Sequence, residues 1–299
     1  MKINERSTSP LMRNLFGKDL NIVLQDYTAC ISELMLGYPE LRDMLEACIN
    51  RTGFLFPYMS AEYGWYSIKG YFIPSELKDI VLAFGLLGLV AAVDDDTVDE
   101  FRTDHLRAIR NICVSELLQN VAYFKLFRNA EKSEAHIAVE EISNALNFLI
   151  KYQFLDALNI KNFSENDFDL HQYLKATYKT VCPIKFGLRL GLRLARAKEN
   201  YIQTAEKIAV NLGMSLQLID DILDLKDDIR NYKKPVTYPM WLLSQNRDLN
   251  EIFSLIHKKL EESLSLSKIF PYHSKIEQVI KGFEKVLENV RNIKLSIDL

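Results

Sequence analysis

The sequence predicts an all-α fold, a helical bundle around a central apolar cavity, and three observations lead there. Apolar residues recur at three- and four-residue spacing through almost the whole chain. Glycine and proline, the strongest chain breakers, number only 11 and 8 among 299 residues. No convincing strand run is bounded by hairpin turns. Neither a linker nor a shift in composition divides the chain, so one domain over residues 1–299 is expected, with 1–17 a poorly ordered N-terminal segment.

The elements follow in order. Ile22, Leu24, Tyr27 and Ile31 open a first amphipathic helix. Leu41, Met44, Leu45 and Cys48 mark a second, begun after Pro39. Residues 54–72 are unusually aromatic. Pro74-Ser75-Glu76 is a helix start, and the nearly continuous apolar run from Leu77 to Val93 follows. That run covers fewer residues than a membrane span needs and leads into Asp94-Asp95-Asp96, so it reads as a helix buried on most sides. Helical spacing continues over Arg107–Phe127 and Ala138–Leu158. The polar stretch Asn159–Asp169 reads as a connection. Helices are then expected over Leu170–Arg196 and from Tyr201 past Asp228, a loop over Asn231–Pro239, and helical stripes over Ile252–Leu266 and Ile276–Ile293.

Composition excludes several classes. A net charge of −3 gives no basic excess for nucleic acid. The start MKINERSTSPLMRN is polar and lacks the apolar core of a signal peptide. Cys30, Cys48, Cys113 and Cys182 are widely separated without a CxxC pair, which reads as buried free thiols in a reducing, cytoplasmic setting.

Two acidic clusters carry the chemistry. Asp95-Asp96-Thr97-Val98-Asp99 and Asp220-Asp221-Ile222-Leu223-Asp224 each follow an apolar run, with 125 residues between their first aspartates. Positions i and i+4 share one helix face, so Asp95 and Asp99 project together with Asp96 beside them, and Asp220, Asp224, Asp227 and Asp228 make a longer stripe with Asp221 at its edge. Like charges so spaced destabilise a helix unless something neutralises them. Mg²⁺ is the natural counter-ion, because it takes one or two carboxylates per ion and completes its shell with water and substrate phosphates. Calcium loops of the EF-hand type need a central Gly and a closing Glu, which are absent.

At these residues the chain resembles the trans-prenyltransferase (polyprenyl diphosphate synthase) family of class I isoprenoid synthases. Gly213-Met214-Ser215-Leu216-Gln217-Leu218-Ile219-Asp220-Asp221 with Asp224 is similar to that family's G-x-x-F-Q-x-x-D-D-x-x-D block, except at Leu216. Tyr173-Leu174 with Lys179-Thr180 resembles its Y-L…K-T motif, and Gln153-Phe154-Leu155-Asp156 its Q-x-x-D, with Tyr152 in place of the usual Gly. Lys233-Lys234-Pro235 and Thr237-Tyr238-Pro239 look like a shortened G-K-P…T-Y-P loop. The resemblance spans residues 40–245.

It implies Mg²⁺ as cofactor, with three ions held by Asp95, Asp99 and Asp220 and assisted by Asp96, Asp221 and Asp224. An allylic prenyl diphosphate is the implied substrate, clamped by Lys179 and Lys234, with no nucleic acid or transmembrane segment and with a homodimer as the assembly. Gln153, Asp156, Thr180, Gln217, Phe56 and Trp65 are expected at the substrate pocket. Gln217 by itself reads equally as a satisfied core amide or as a dipole lining a cavity.

Departures from the family shape the functional expectation. Where its G-G-K-R-x-R-P binds isopentenyl diphosphate, this chain has Arg51-Thr52-Gly53-Phe54-Leu55-Phe56-Pro57. The family's arginine pair falls on Asp104-His105, with Arg51, Arg102 and Arg107 as the nearest cations. Removing one charge-assisted hydrogen bond costs about 1.5–3 kcal/mol, and several are missing here. Of the aromatic residues Phe54, Phe56, Tyr58, Tyr63, Trp65 and Tyr66, at least half read as core packing, and the others suggest a wall that stabilises carbocations by cation–π attraction. In the family that the chain resembles, bulk before the first cluster limits chain length, so the small residues Gly85, Gly88, Val90, Ala91 and Ala92 imply a deep pocket for a C15–C25 chain, while helix packing explains the glycines equally well. The expectation is therefore a terpene cyclase resembling the class IB terpene synthases. The alternatives are a chain-elongating synthase of the farnesyl or geranylgeranyl diphosphate type, prenyl transfer to a non-diphosphate acceptor, or a non-catalytic partner subunit.

Overall fold

A computed structural model of the chain describes residues 10–41, 43, 45, 52–100, 104–165 and 167–295. The expectations that rest on Met44, Cys48, Arg51 and Arg102 lie outside the described residues. In chain order the α-helices are α1 (Pro10–Phe16), α2 (Leu20–Gly37), α3 (Thr52–Lys69), α4 (Ser75–Glu100), α5 (His105–Phe127), α6 (Ser133–Glu165), α7 (Leu170–Ala176), α8 (Tyr178–Leu194), α9 (Glu199–Asn231), α10 (Tyr238–Ser244), α11 (Asn250–Ser267) and α12 (Ser274–Leu295). Among the described residues there is no strand, and none of the helices is long and apolar enough to cross a membrane.

Two helices organise the core. α4 packs against α3, α5 and α6, and its Ile80, Val81, Ala83, Leu86 and Leu89 are fully buried. α8 packs against α3, α6 and α9. Glycine sets how closely it does so. A methyl group on Gly191 would lie 2.0 Å from the Ala61 carbonyl oxygen, and one on Gly187 2.5 Å from that of Pro57. On α9, a methyl on Gly213 would lie 2.5 Å from Val181 Cα. Backbones this close admit only hydrogen at the contact, so Gly187 and Gly191 fix how closely α8 meets α3, and Gly213 fixes where the start of α8 meets α9.

Ionic groups set the register of α6, α8 and α9. Glu141, fully buried, accepts from Arg189 Nε at 2.8 Å and from Arg193 Nη1 at 2.6 Å. Arg189 also donates to Glu206 on α9. The four groups compensate one another, as the burial of Glu141 demands.

Cys30 and Cys182 are buried as expected, but Cys113 is exposed on α5, and the helices depart from the sequence expectation in three places. Residues 10–16, expected to be poorly ordered, form α1, which packs on α12. Asp19, just after α1, accepts from Tyr63 Oη at 2.9 Å and from Lys275 Nζ at 2.6 Å, while Gln278 Nε2 donates to the Phe16 carbonyl at 2.9 Å. Met12, Leu15 and Phe16 of α1 are buried in the core, and these polar ties hold the segment beside them. Asn159–Glu165 continues α6 instead of forming a connection. Asn159 is buried and donates to the Gln172 carbonyl at 2.9 Å, and Phe163 packs on Phe168 with ring centroids 4.9 Å apart. Finally, the helix expected over Leu170–Arg196 divides into α7 and α8 at Thr177, whose hydroxyl bonds the Leu174 carbonyl at 2.8 Å. Pro183 follows inside α8 and cannot donate to the preceding turn.

Candidate active site

The second acidic cluster lies in the C-terminal half of α9 and divides between two faces. Asp220 and Asp224 are exposed, and with half-buried Asp228 they form one stripe at i, i+4, i+8. Asp221, one residue round the helix from Asp220, is 7 % exposed and points into the protein. There its Oδ2 accepts from the Tyr173 hydroxyl and its Oδ1 from Gln217 Nε2 at 2.9 Å. Gln217 Oε1 in turn accepts from the Thr180 hydroxyl. Gln217 is thus a satisfied amide whose partners are themselves site residues.

Lys179 begins α8 beside these groups. Its Nζ donates to Asp156 Oδ2 on α6 at 2.5 Å, both residues being half-buried. Gln153 is half-buried about one turn earlier on α6. The loop after α9 folds back on the stripe: Thr237 Oγ1 donates to Asp228 Oδ2 at 3.4 Å. Tyr238 then stacks on Trp241 at 5.9 Å between ring centroids and approaches Tyr173 at 6.3 Å. Lys234 is exposed in that loop.

The carboxyl groups shift as the geometry requires. Burial pushes Asp221 up to about 7, against the pull of its hydrogen bonds from Tyr173 and Gln217. Asp220 is raised by partial desolvation and then by Asp224, with Lys179 opposing; desolvation acts here although the side chain keeps accessible surface. Asp228 is raised by desolvation and Asp224, with Thr237 opposing. Carboxylates that raise one another along an accessible stripe are a donor set suited to a hard divalent cation, which would relieve the repulsion. Among the described residues no group of three such side chains is arranged to hold an ion by itself.

Asp95, Asp96 and Asp99 lie on the last two turns of α4, and their side chains fall outside the described residues. Just before them, Asp94 Oδ1 accepts from Ser115 Oγ on α5 at 2.6 Å. Asp104, where the family has arginine, caps α5 by accepting from the Arg107 backbone N–H at 3.0 Å.

Phe56 and Trp65 are not brought to this cluster. Phe56 is buried edge-on to Phe16, with 5.7 Å between ring centroids, around a small apolar cavity that Ile208 and Leu212 also line. Ile208 is three turns of α9, about 18 Å, before Asp220. Trp65 is buried against Tyr71 at 6.2 Å, with its indole N–H lacking a hydrogen bond. Tyr58 and Tyr63 are core residues as well. Sequence reading placed Tyr173 within a motif but gave it no place at the site. Its hydroxyl reaches Asp221 across 48 positions, a contact that no local pattern announces.

Residues 108–239 match the family model described as Polyprenyl synthetase. The fold is shared with solved prenyl synthases. A geranylgeranyl pyrophosphate synthase from Lactobacillus brevis is 15% identical with a TM-score of 0.69, the match covering 93% of this chain and 99% of that one. A geranyltranstransferase from Methanosarcina mazei is 15% identical with a TM-score of 0.67, over 89% and 96% of the two chains. A decaprenyl diphosphate synthase from Rhodobacter capsulatus is 16% identical with a TM-score of 0.67, over 94% and 100%. No curated protein matches the sequence. The chain is thus similar to the trans-prenyltransferases in fold, and in sequence across the α5–α9 region.

Proposed function

We propose that this protein ionises an allylic prenyl diphosphate with Mg²⁺ and joins the allylic group to isopentenyl diphosphate, as a chain-elongating prenyl diphosphate synthase. The observation that carries the proposal is the convergence of the Asp220–Asp224–Asp228 stripe with the Lys179–Asp156 pair on a fold shared with prenyl synthases. In this reading Asp95, Asp99 and Asp220 are the metal ligands, with Asp96, Asp221 and Asp224 assisting, and three ions are bound. Bound Mg²⁺ supplies Lewis-acid stabilisation of the departing diphosphate. Lys179 presents a compact cation to the diphosphate, held in place by Asp156 until substrate competes for it. Lys234 approaches from the loop after α9. Gln153, Thr180 and Gln217 stand at the edge of the same cluster.

Cyclisation of the allylic cation is the second reading. It rests on the uncharged residues Gly53, Phe54 and Phe56, and on Asp104 and His105, where the family places cations for isopentenyl diphosphate. Its other support, an aromatic wall built from residues 54–66, is weakened by the core positions of Phe56, Tyr58, Tyr63 and Trp65. Product analysis separates the two. Purified protein is incubated with Mg²⁺ and C10 to C20 allylic diphosphates, with and without isopentenyl diphosphate. A longer diphosphate formed only with isopentenyl diphosphate is the expected outcome; hydrocarbon from one substrate alone contradicts it and supports the cyclase.

A homodimer is also proposed. Leu106, Ile109, Ile112, Tyr123, Phe124 and Phe127 are exposed along one face of α5, and Val139, Ile150, Phe154 and Leu158 along α6. Tyr123 and Phe127 meet Val139 along one surface groove; exposed apolar groups gathered in this way favour an interface, and a second copy of the same face is its proposed cover.

A further inference from the structure

We propose that Tyr173 and Asp221, the latter outside the metal ligands named above, are positioning residues that hold Gln217 and orient the metal-facing side of α9. The proposal deepens the reading above and rests on it.

The second acidic motif is split by burial. Asp220 and Asp224 are exposed on one side, whereas Asp221 is 7 % exposed on the other. Both Asp221 oxygens are engaged: Oδ2 by the Tyr173 hydroxyl, Oδ1 by Gln217 Nε2 at 2.9 Å. To ligate an ion beside Asp220, this carboxylate would have to leave both donors unmatched in a buried setting and swing about 100° round its helix. Leaving buried donors without acceptors is what proteins avoid.

Tyr173 is held as firmly as the group it bonds. Its ring is buried, with Phe168 at 5.6 Å and Tyr238 at 6.3 Å between centroids. The bonds run on in one line, from Tyr173 on α7 through Asp221 and Gln217 on α9 to Thr180 on α8. Lys179, the neighbour of Thr180, is bonded to Asp156 on α6. Four helices therefore share one frame, and the Thr177 break between α7 and α8 lies inside it. In that frame Asp220 receives a fixed direction from a residue that touches no substrate. The division also explains why both aspartates are present: one faces outward to charge, the other inward to a tyrosine.

The test compares wild type with Tyr173→Phe, Asp221→Asn and Asp220→Asn. Calorimetry measures Mg²⁺-dependent binding of inorganic diphosphate, and steady-state kinetics measure turnover of an allylic diphosphate as Mg²⁺ is varied. Asp220→Asn is expected to raise the Mg²⁺ requirement by more than about 10-fold. Tyr173→Phe and Asp221→Asn should leave it within about 2-fold, while kcat falls by about 10- to 100-fold with little change in KM, as misplacement of a reacting geometry does. The double variant should be no worse than the more damaged single one, since both remove the same bond. Tyr173→Phe keeps the ring and the core, so it decides the matter by itself if Asp221→Asn does not fold. An Asp221→Asn protein whose Mg²⁺ requirement rises as far as that of Asp220→Asn, or a Tyr173→Phe protein with wild-type kcat, overturns the assignment. A wild-type protein that binds no diphosphate and turns over no allylic substrate overturns the underlying metal-site reading as well, and so differs from failure of this inference alone.

Discussion

At the scale of single residues, the site is a set of carboxyl groups kept at unequal depths. Asp221 binds its proton more tightly folded than unfolded, rising from 3.8 to about 7 on burial. Through that interval the folded state holds more protons than the unfolded chain. The stability this group contributes therefore falls as pH rises across the window and is fully present only below it. Asp220 and Asp228 shift in the same direction and add to the slope. Thermal unfolding in metal-free buffer should show a Tm that falls between about pH 4 and pH 7, and Asp221→Asn should flatten that fall. An unchanged slope in the variant would show that Asp221 is not the titrating group. At this scale the sequence was partly readable. Spacing alone put Asp220, Asp224 and Asp228 on one face, because helical period fixes azimuth. It could not tell which aspartate turns inward, since depth depends on Tyr173, a residue on another helix. Aromatic type likewise revealed the apolar nature of Phe56 and Trp65 but not their location. A ring that packs a core and one that lines a pocket have the same composition.

At the scale of elements, the positions of most helices could be read from apolar periodicity, because packing rewards that period wherever a helix is half-buried. The exceptions are instructive. α6 extends through Asn159 because a buried amide finds the Gln172 carbonyl, so a polar residue serves as an interhelical tie. α7 and α8 separate at Thr177 although the apolar pattern continues through it. Close approach was not visible as such, yet Gly213 marks it within the motif. An added methyl there meets the Val181 backbone at 2.5 Å, one turn from Gln217. Gly213→Ala should lower stability by about 1–3 kcal/mol through overpacking. It should also reduce turnover, because α9 would move away from Thr180. Gly37→Ala is the control, since its methyl meets nothing within 4 Å. Urea unfolding should show a lower midpoint for the first variant and an equal or higher one for the second; equal midpoints for both would mean that the α8–α9 contact has slack.

At the scale of the whole molecule, α4 and α8 build the core, and the acidic ends of α4 and α9 carry the charge. The apolar faces of α5 and α6 remain exposed, with Phe127 at 78 % and Phe124 at 59 %. Stable dimers bury about 800 Å² per partner. Light scattering of the purified protein should therefore give twice the chain mass, and Phe124→Asp with Phe127→Asp should shift it to the monomer without loss of helical content. A wild-type monomer at micromolar concentration would exclude this interface. Sequence could suggest the assembly only by resemblance, because exposed and buried apolar faces of a helix read alike until its neighbours are placed. The central claim, that the Asp220 stripe uses Mg²⁺ to expel diphosphate from an allylic chain, is tested most directly by diphosphate release. With C10 to C20 allylic diphosphates and isopentenyl diphosphate present, release should require Mg²⁺ and fall by about 100-fold or more in Asp220→Asn, the scale expected when a group stabilising the departing charge is removed. Release that persists at the same rate without Mg²⁺ or in Asp220→Asn, or no release from any of these chains, would contradict it.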